Sequence, residues 1–174
     1  MKILRTLAQA GLLAVALAAP AQPQETLSEA QQAQIRAEVL QAVKPLLAAV
    51  ERLDIQAMRT LSHKSPEFSF VMPDGTSYGF EEVLATAKEL FANLSGQKMI
   101  TQKERVLVLA PDAALYLWQG RNDVMQKDGV LLRSDPYCCT YLYRKVDGQW
   151  KFAYGHESGL PSQPVRVEES EKGR

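Results

Sequence analysis

Two histidines, two adjacent cysteines and twenty carboxylates are the groups in these 174 residues that could exchange a proton or hold a metal. Of the histidines, His156 has the more patterned setting. Trp150, Phe152, Tyr154, His156 and Ser158 occupy every second position of QWKFAYGHES, and in a strand such residues share one face. That face would present a row of rings ending in an imidazole and a hydroxyl, which is how a pocket with apolar walls and a few convergent polar groups is composed. Imidazole titrates near neutral pH, so His156 is the candidate general acid or base, with Asp123 or Asp135 as its partner. A hydrogen-bonded structural histidine carries equal weight.

The other reactive groups point away from several chemistries. His63 lies in a polar loop far from His156, with no carboxylate at ligand spacing, so no metal is expected. The sequence holds no nucleophile elbow, Walker loop or dinucleotide fingerprint, which removes support for covalent, nucleotide and hydride chemistry and leaves no cofactor to expect. Twenty basic residues balance twenty acidic ones without a block of like charge, so nucleic acid is not an expected partner. Cys138 and Cys139 are adjacent and would point to opposite faces of a strand. Two free thiols or one intermolecular bridge follow, and two buried small apolar side chains are the plainer reading. Tyr78, Trp118, Trp150, Phe152 and Tyr154 could line a cavity, although aromatic residues on sheets more often form plain core.

The elements that must position these residues follow from the chain in order. Lys2 and Arg5 precede an apolar run, Gly11 to Ala19, and Ala19-Pro20-Ala21 has small residues where a signal peptidase reads. Residues 1–21 are therefore expected to be a signal peptide cleaved after Ala21, and the run is too short to span a bilayer. A secreted or periplasmic protein with no membrane association after cleavage is the expectation. With 46% hydrophobic and 23% charged residues, the remainder suits a single domain over 22–160, followed by a poorly ordered polar tail over 161–174.

Within that domain Ser28 and Gln31 form a capping box, followed by apolar residues at helical spacing from Ile35 to Val50. Pro45 should kink this first helix. Asp54 should cap a short second one. Phe68 to Met72 reads as a short strand leading into a hairpin-like excursion, and Gly79 opens a helix with one apolar stripe from Phe80 to Leu94, closed at Ser95-Gly96. The period then changes: four strand candidates, 102–109, 113–124, 130–143 and 149–158, are separated by Pro111-Asp112, Asp128-Gly129 and Asp147-Gly148. Helices followed by an antiparallel meander make an α+β fold with the helices gathered on one face of a curved sheet.

With Thr140, Asp147-Gly148, Trp150, His156 and Ser158 at their observed spacing, the chain resembles the SnoaL-like domains of the nuclear transport factor 2-like superfamily, over roughly Ser28 to Ser158. The stretch WKFAYGHESGLPSQP is also similar to the end of the association domain of calcium/calmodulin-dependent kinase II. The resemblance implies a cone-shaped fold, a homodimer formed through the open face of the sheet, and Cys138 and Thr140 on the pocket-facing strand. Cys138 stands where many such domains carry arginine, so an anion clamp there is not implied. The tyrosine that ketosteroid isomerase carries on its first helix also has no counterpart. Three functions remain: an exported domain binding a small, largely apolar ligand without turnover; a cofactor-independent isomerase, dehydratase or hydrolase using His156; and a protein-interaction module. Whether the chain is an enzyme stays open on the sequence.

Overall fold

The computed structural model describes residues 27–165. The expected signal peptide and the last nine residues of the tail lie outside them. Helix α1 (Glu29–Glu51) begins as its sequence dictates: the Gln31 amide donates to the Ser28 hydroxyl at 3.3 Å, and the Ser28 amide donates to the Gln31 side chain at 2.8 Å. It runs 23 residues as one helix with Pro45 inside it. Its apolar stripe of Ile35, Val39, Val43 and Leu46 is buried against the sheet. Asp54 caps α2 (Ile55–Leu61) by accepting from the Ala57 amide at 2.9 Å. Helix α3 (Phe80–Phe91) buries Phe80 and Leu84.

Among the described residues seven strands follow or interleave: β1 (Ser69–Val71), β2 (Ser77–Tyr78), β3 (Leu94–Ala110), β4 (Ala113–Gln126), β5 (Leu131–Val146), β6 (Gln149–Gly159) and β7 (Gln163–Pro164). The order across the sheet is β2-β1-β6-β5-β4-β3, with β7 pairing separately on β5. All pairings are antiparallel except that of β1 with β6, which makes the sheet mixed. The long strands carry register shifts, three of them between β3 and β4, and such bulges let a long sheet curve around the helices. Strand β3 starts eight residues before the expected Gln102, because the residues after α3 pair at once with the end of β4, Leu94 opposite Gln126. The expected tail is ordered at its beginning, since β7 lies opposite Leu132 and Arg133.

One local feature decides which residues face the helices. The β5–β6 hairpin turns at Asp147 and Gly148, both with positive φ (49° and 78°), as a two-residue turn of matching twist requires. From that turn the ladder is regular to Tyr143 opposite Phe152, and then Leu142 lies opposite Tyr154. Ala153 is the extra residue of a β-bulge, and it reverses the alternation for everything after it. Trp150 and Phe152 pack inward as expected. Beyond the bulge Gly155 is buried while His156 and Ser158 are exposed. Because Ala153 alone breaks the pairing, its deletion is expected to leave a regular strand with the same faces. Deleting Gly155 instead should turn Glu157 outward and abolish the packed core. Near-ultraviolet circular dichroism of the two variants would tell them apart, and equal loss of signal would refute the assignment.

Candidate functional site

The inner face of the sheet is built by alternation on β4 and β5. Ala114, Tyr116, Trp118 and Gly120 lie opposite Tyr143, Tyr141, Cys139 and Tyr137, and all eight are buried. The rings interlock: Tyr141 meets Phe152 edge-on at 5.0 Å between centroids, and Tyr116 and Phe70 each lie 6.4 Å from it. Such edge-on and tilted pairs are the preferred geometries for rings of this kind. The Trp118 indole donates to the Thr101 hydroxyl at 2.8 Å, and the Tyr116 hydroxyl donates to Glu104 at 2.6 Å.

On the same face the bulge delivers Glu157. Opposite Cys139 in register, its carboxylate accepts from the Tyr137 hydroxyl at 2.5 Å and from the Tyr141 hydroxyl, with the Cys139 thiol 3.8 Å away. Glu157 as a residue is half-buried, but its carboxyl group is packed about by protein atoms. That burial raises its pKa above the usual 4.5, and the phenol donors and the neighbouring charge of His156 only partly offset it. Burial likewise pushes the Tyr137 and Tyr141 phenols and the Cys139 thiol up, and the carboxylate beside them adds to the shift. Burial thus favours the protonated form of each group in the cluster. A further phenol, Tyr143, is 1% exposed, and its hydroxyl has no hydrogen-bond partner among the described residues.

The sequence-derived candidates are distributed differently from what alternation alone implied. Trp118, Trp150 and Phe152 are on the inner face, and Trp150 reaches α1, its indole donating to Glu38 at 2.8 Å. Tyr154, His156 and Ser158 are on the outer face, as are their partners Leu142, Thr140 and Cys138, because the Ala153 bulge shifts β6 by one position. Cys139, not Cys138, faces inward. Tyr78 sits half-buried on the short edge strand β2, paired with Phe70. Asp123 is no partner for His156: it is held bidentately by Arg133 at 2.8 and 2.9 Å and lies 3.2 Å from Arg121, near the far end of β5 from Thr140. Asp135 is exposed and lines a cleft of about 220 Å³ where β7 pairs with β5, and that cleft is shared with Arg133, Leu160 and Val165 rather than with the rings. Among the described residues no three histidine, cysteine or carboxylate side chains converge as a metal site.

Sequence reasoning missed Glu157 and the Tyr137–Tyr141–Tyr143 series. A signal was present: Tyr137, Cys139, Tyr141 and Tyr143 alternate strictly, which marks the buried face of β5 without reference to β6.

Comparison with known proteins agrees with this architecture. The family model of the SnoaL-like domain matches residues 39–163. Among solved structures, a type 2 hexachlorocyclohexane dehydrochlorinase superposes with a TM-score of 0.67 at 15% identity, covering 80% of this chain and 95% of its own. A nuclear transport factor 2-like superfamily protein from Salmonella enterica gives 0.67 at 17% identity, covering 78% and 95%. A protein provisionally designated a scytalone dehydratase, from Novosphingobium aromaticivorans, gives 0.67 at 10% identity, covering 80% and 93%. At these identities the likeness concerns the fold. No curated protein matches the chain.

Proposed function

Since the chain belongs to the SnoaL-like domain family, we propose that it binds a small, largely apolar molecule against the inner face of its sheet, with Glu157 as the proton-exchanging group. The observation that carries this reading is the enclosed carboxyl between two phenols. A buried carboxyl with a raised pKa, joined to two phenols on a face lined by rings, is the kind of perturbed group at which functional sites are found. The role of general acid or base thus moves from His156 to its neighbour. Two of the similar folds bear names of elimination enzymes, a dehydrochlorinase and a dehydratase, and elimination needs a base of this kind.

The test uses 1-indanone, an apolar ketone with an exchangeable C2 proton, in deuterated water. Faster C2 exchange with wild-type protein than with Glu157→Gln supports acid–base catalysis at this site. Binding without acceleration leaves a ligand-binding domain. Failure of 1-indanone and a panel of similar apolar ketones and alcohols to perturb the Trp118 environment would overturn the reading.

The outer face supports an additional reading. Leu107, Leu115, Leu142 and Tyr154 are successive cross-strand neighbours over four strands, and Leu107 and Leu109 are 38% and 51% exposed. An apolar stripe of that kind suits association with a second copy of the chain, with Thr140 and His156 in the adjoining row. The protein is expected to run at twice its chain mass in light scattering, and Leu115→Glu to convert it to monomer. A monomeric wild type would remove this reading. Export belongs to the same proposal, on the strength of the Lys2, Arg5 and Ala19-Pro20-Ala21 pattern. A mature N-terminus other than Gln22 would count against cleavage after Ala21.

A further inference from the structure

We infer that the ligand is an uncharged molecule whose apolar body carries an acceptor oxygen, and that the Tyr143 hydroxyl donates to it. This rests on the reading of the inner face as the binding site. Tyr116, Tyr137 and Tyr141 each spend their hydroxyl on a carboxylate of the chain. Tyr143 lies on the same face of β5, two positions beyond Tyr141, and its buried hydroxyl has no acceptor among the described residues. Burial alone pushes this phenol's pKa up, which keeps it a donor. A phenylalanine would fill the same space without a stranded donor, so the hydroxyl is explained by an acceptor that the described residues do not supply.

The charges around the position narrow the class. Glu104 and Glu157 both approach the inner face through tyrosine hydroxyls, and both repel an anion. Lys145, two positions along β5, is bound to Glu38 at 2.7 Å and lies over the Trp150 ring, so it is already neutralised. The wall next to Tyr143 is apolar: Phe152, with ring centroids 6.1 Å apart, and Ala114 directly opposite on β4. Carboxylates and phosphates find no counter-charge in this setting, whereas a ketone, ester, ether or alcohol on a hydrocarbon frame finds both a wall and a donor.

Two probes of nearly equal shape isolate the oxygen: 1-indanone and indane. Their dissociation constants are measured by ligand-observed nuclear magnetic resonance titration of wild type and Tyr143→Phe, with circular dichroism confirming that the variant is folded. The ratio of the two constants is expected to shift toward indane by about three- to tenfold in Tyr143→Phe, the range for one net hydrogen bond. Most of that change should come from weaker 1-indanone binding, with indane little affected. An unchanged ratio would mean that Tyr143 is satisfied by an internal water or by nothing, and would overturn the inference while leaving the inner-face site standing. If neither probe binds wild type, the inference falls, and the proposed function falls with it when the wider panel of ketones and alcohols also fails to perturb the Trp118 environment. A carboxylate analogue, indane-1-carboxylate, binding more tightly than 1-indanone would likewise refute an uncharged ligand.

Discussion

Glu157→Ala is expected to destabilise the protein by roughly 2–5 kcal/mol, while Glu157→Gln costs about 1 kcal/mol. The alanine leaves the Tyr137 and Tyr141 hydroxyls without the acceptor they share, and each buried donor so stranded costs about 1–3 kcal/mol. Glutamine keeps the volume and one carbonyl oxygen, and the phenol hydroxyls can rotate to meet its amide. The same pair of variants exposes the ionisation of the site. Glu157 has a folded pKa above its ordinary value of 4.5, so the unfolded chain releases this proton first as pH rises. Its contribution to stability is then greatest at or below pH 4.5, falls through the interval up to the raised folded pKa, and is level above it. Glu38 and Glu81 run the other way: hydrogen bonds, foremost from Lys145 and Arg59 respectively, hold each at about 2, and what they contribute is lost as pH falls toward that value. Subtracting the urea stability of Glu157→Gln from that of wild type at each pH removes these opposing groups. A difference that stays flat from pH 4 to 8 would show that the carboxyl is not held in a desolvated setting.

Most of the scaffold was legible because it is governed by local rules. Ser28 with Gln31, Asp54, and the Asp147-Gly148 turn each fix their geometry within a few residues, and all three act in the structure as their chemistry requires. The α1 stripe and the alternation of β5 likewise report burial directly, whereas the α3 stripe does so only at Phe80 and Leu84: Leu90 is 50% exposed, and the helix ends at Phe91, so Leu94 and the expected Ser95-Gly96 cap belong to β3. The facing of the β6 residues departs from expectation at a single residue. A regular ladder from the Asp147-Gly148 turn would set His156 opposite Cys139 and face it inward; with Ala153 bulged out, His156 lies opposite Thr140 on the outside. An alanine between Phe152 and Tyr154 carries no mark of a bulge, since it adopts extended or bulged backbone alike. The parallel docking of β1 on β6 was hidden for a similar reason, because a three-residue strand pairs through backbone groups that its side chains do not announce.

Gly120→Ala should be among the most damaging single-methyl changes in the sheet, costing about 3 kcal/mol, the upper end for overpacking. Gly120 lies on the inner face opposite Thr101 of β3 and Tyr137 of β5, next to a register shift on each side. A β-carbon there would collide with the Ile100 carbonyl oxygen and come within 2.7 Å of the Trp118 ring. A backbone carbonyl cannot swing aside, so β3 itself must retreat, and the bond from the Trp118 indole to Thr101 stretches with it. Gly155→Ala provides the control. Its new carbon would meet the Phe70 ring at 2.5 Å and Phe152 at 2.8 Å, and rings can tilt where a strand cannot, so about 1–2 kcal/mol is expected. In a chain of this length the first change should lower the melting temperature by about 6–12 °C and red-shift tryptophan emission as Trp118 loosens. Because Tyr137 sits across from Gly120, the displacement also reaches the phenol that holds Glu157, and probe binding should weaken with stability. If Gly120→Ala proves no more harmful than Gly155→Ala, β3 is freer to move than its pairing with β4 implies, and the inner face is a softer surface than the one on which the Glu157 site has been built.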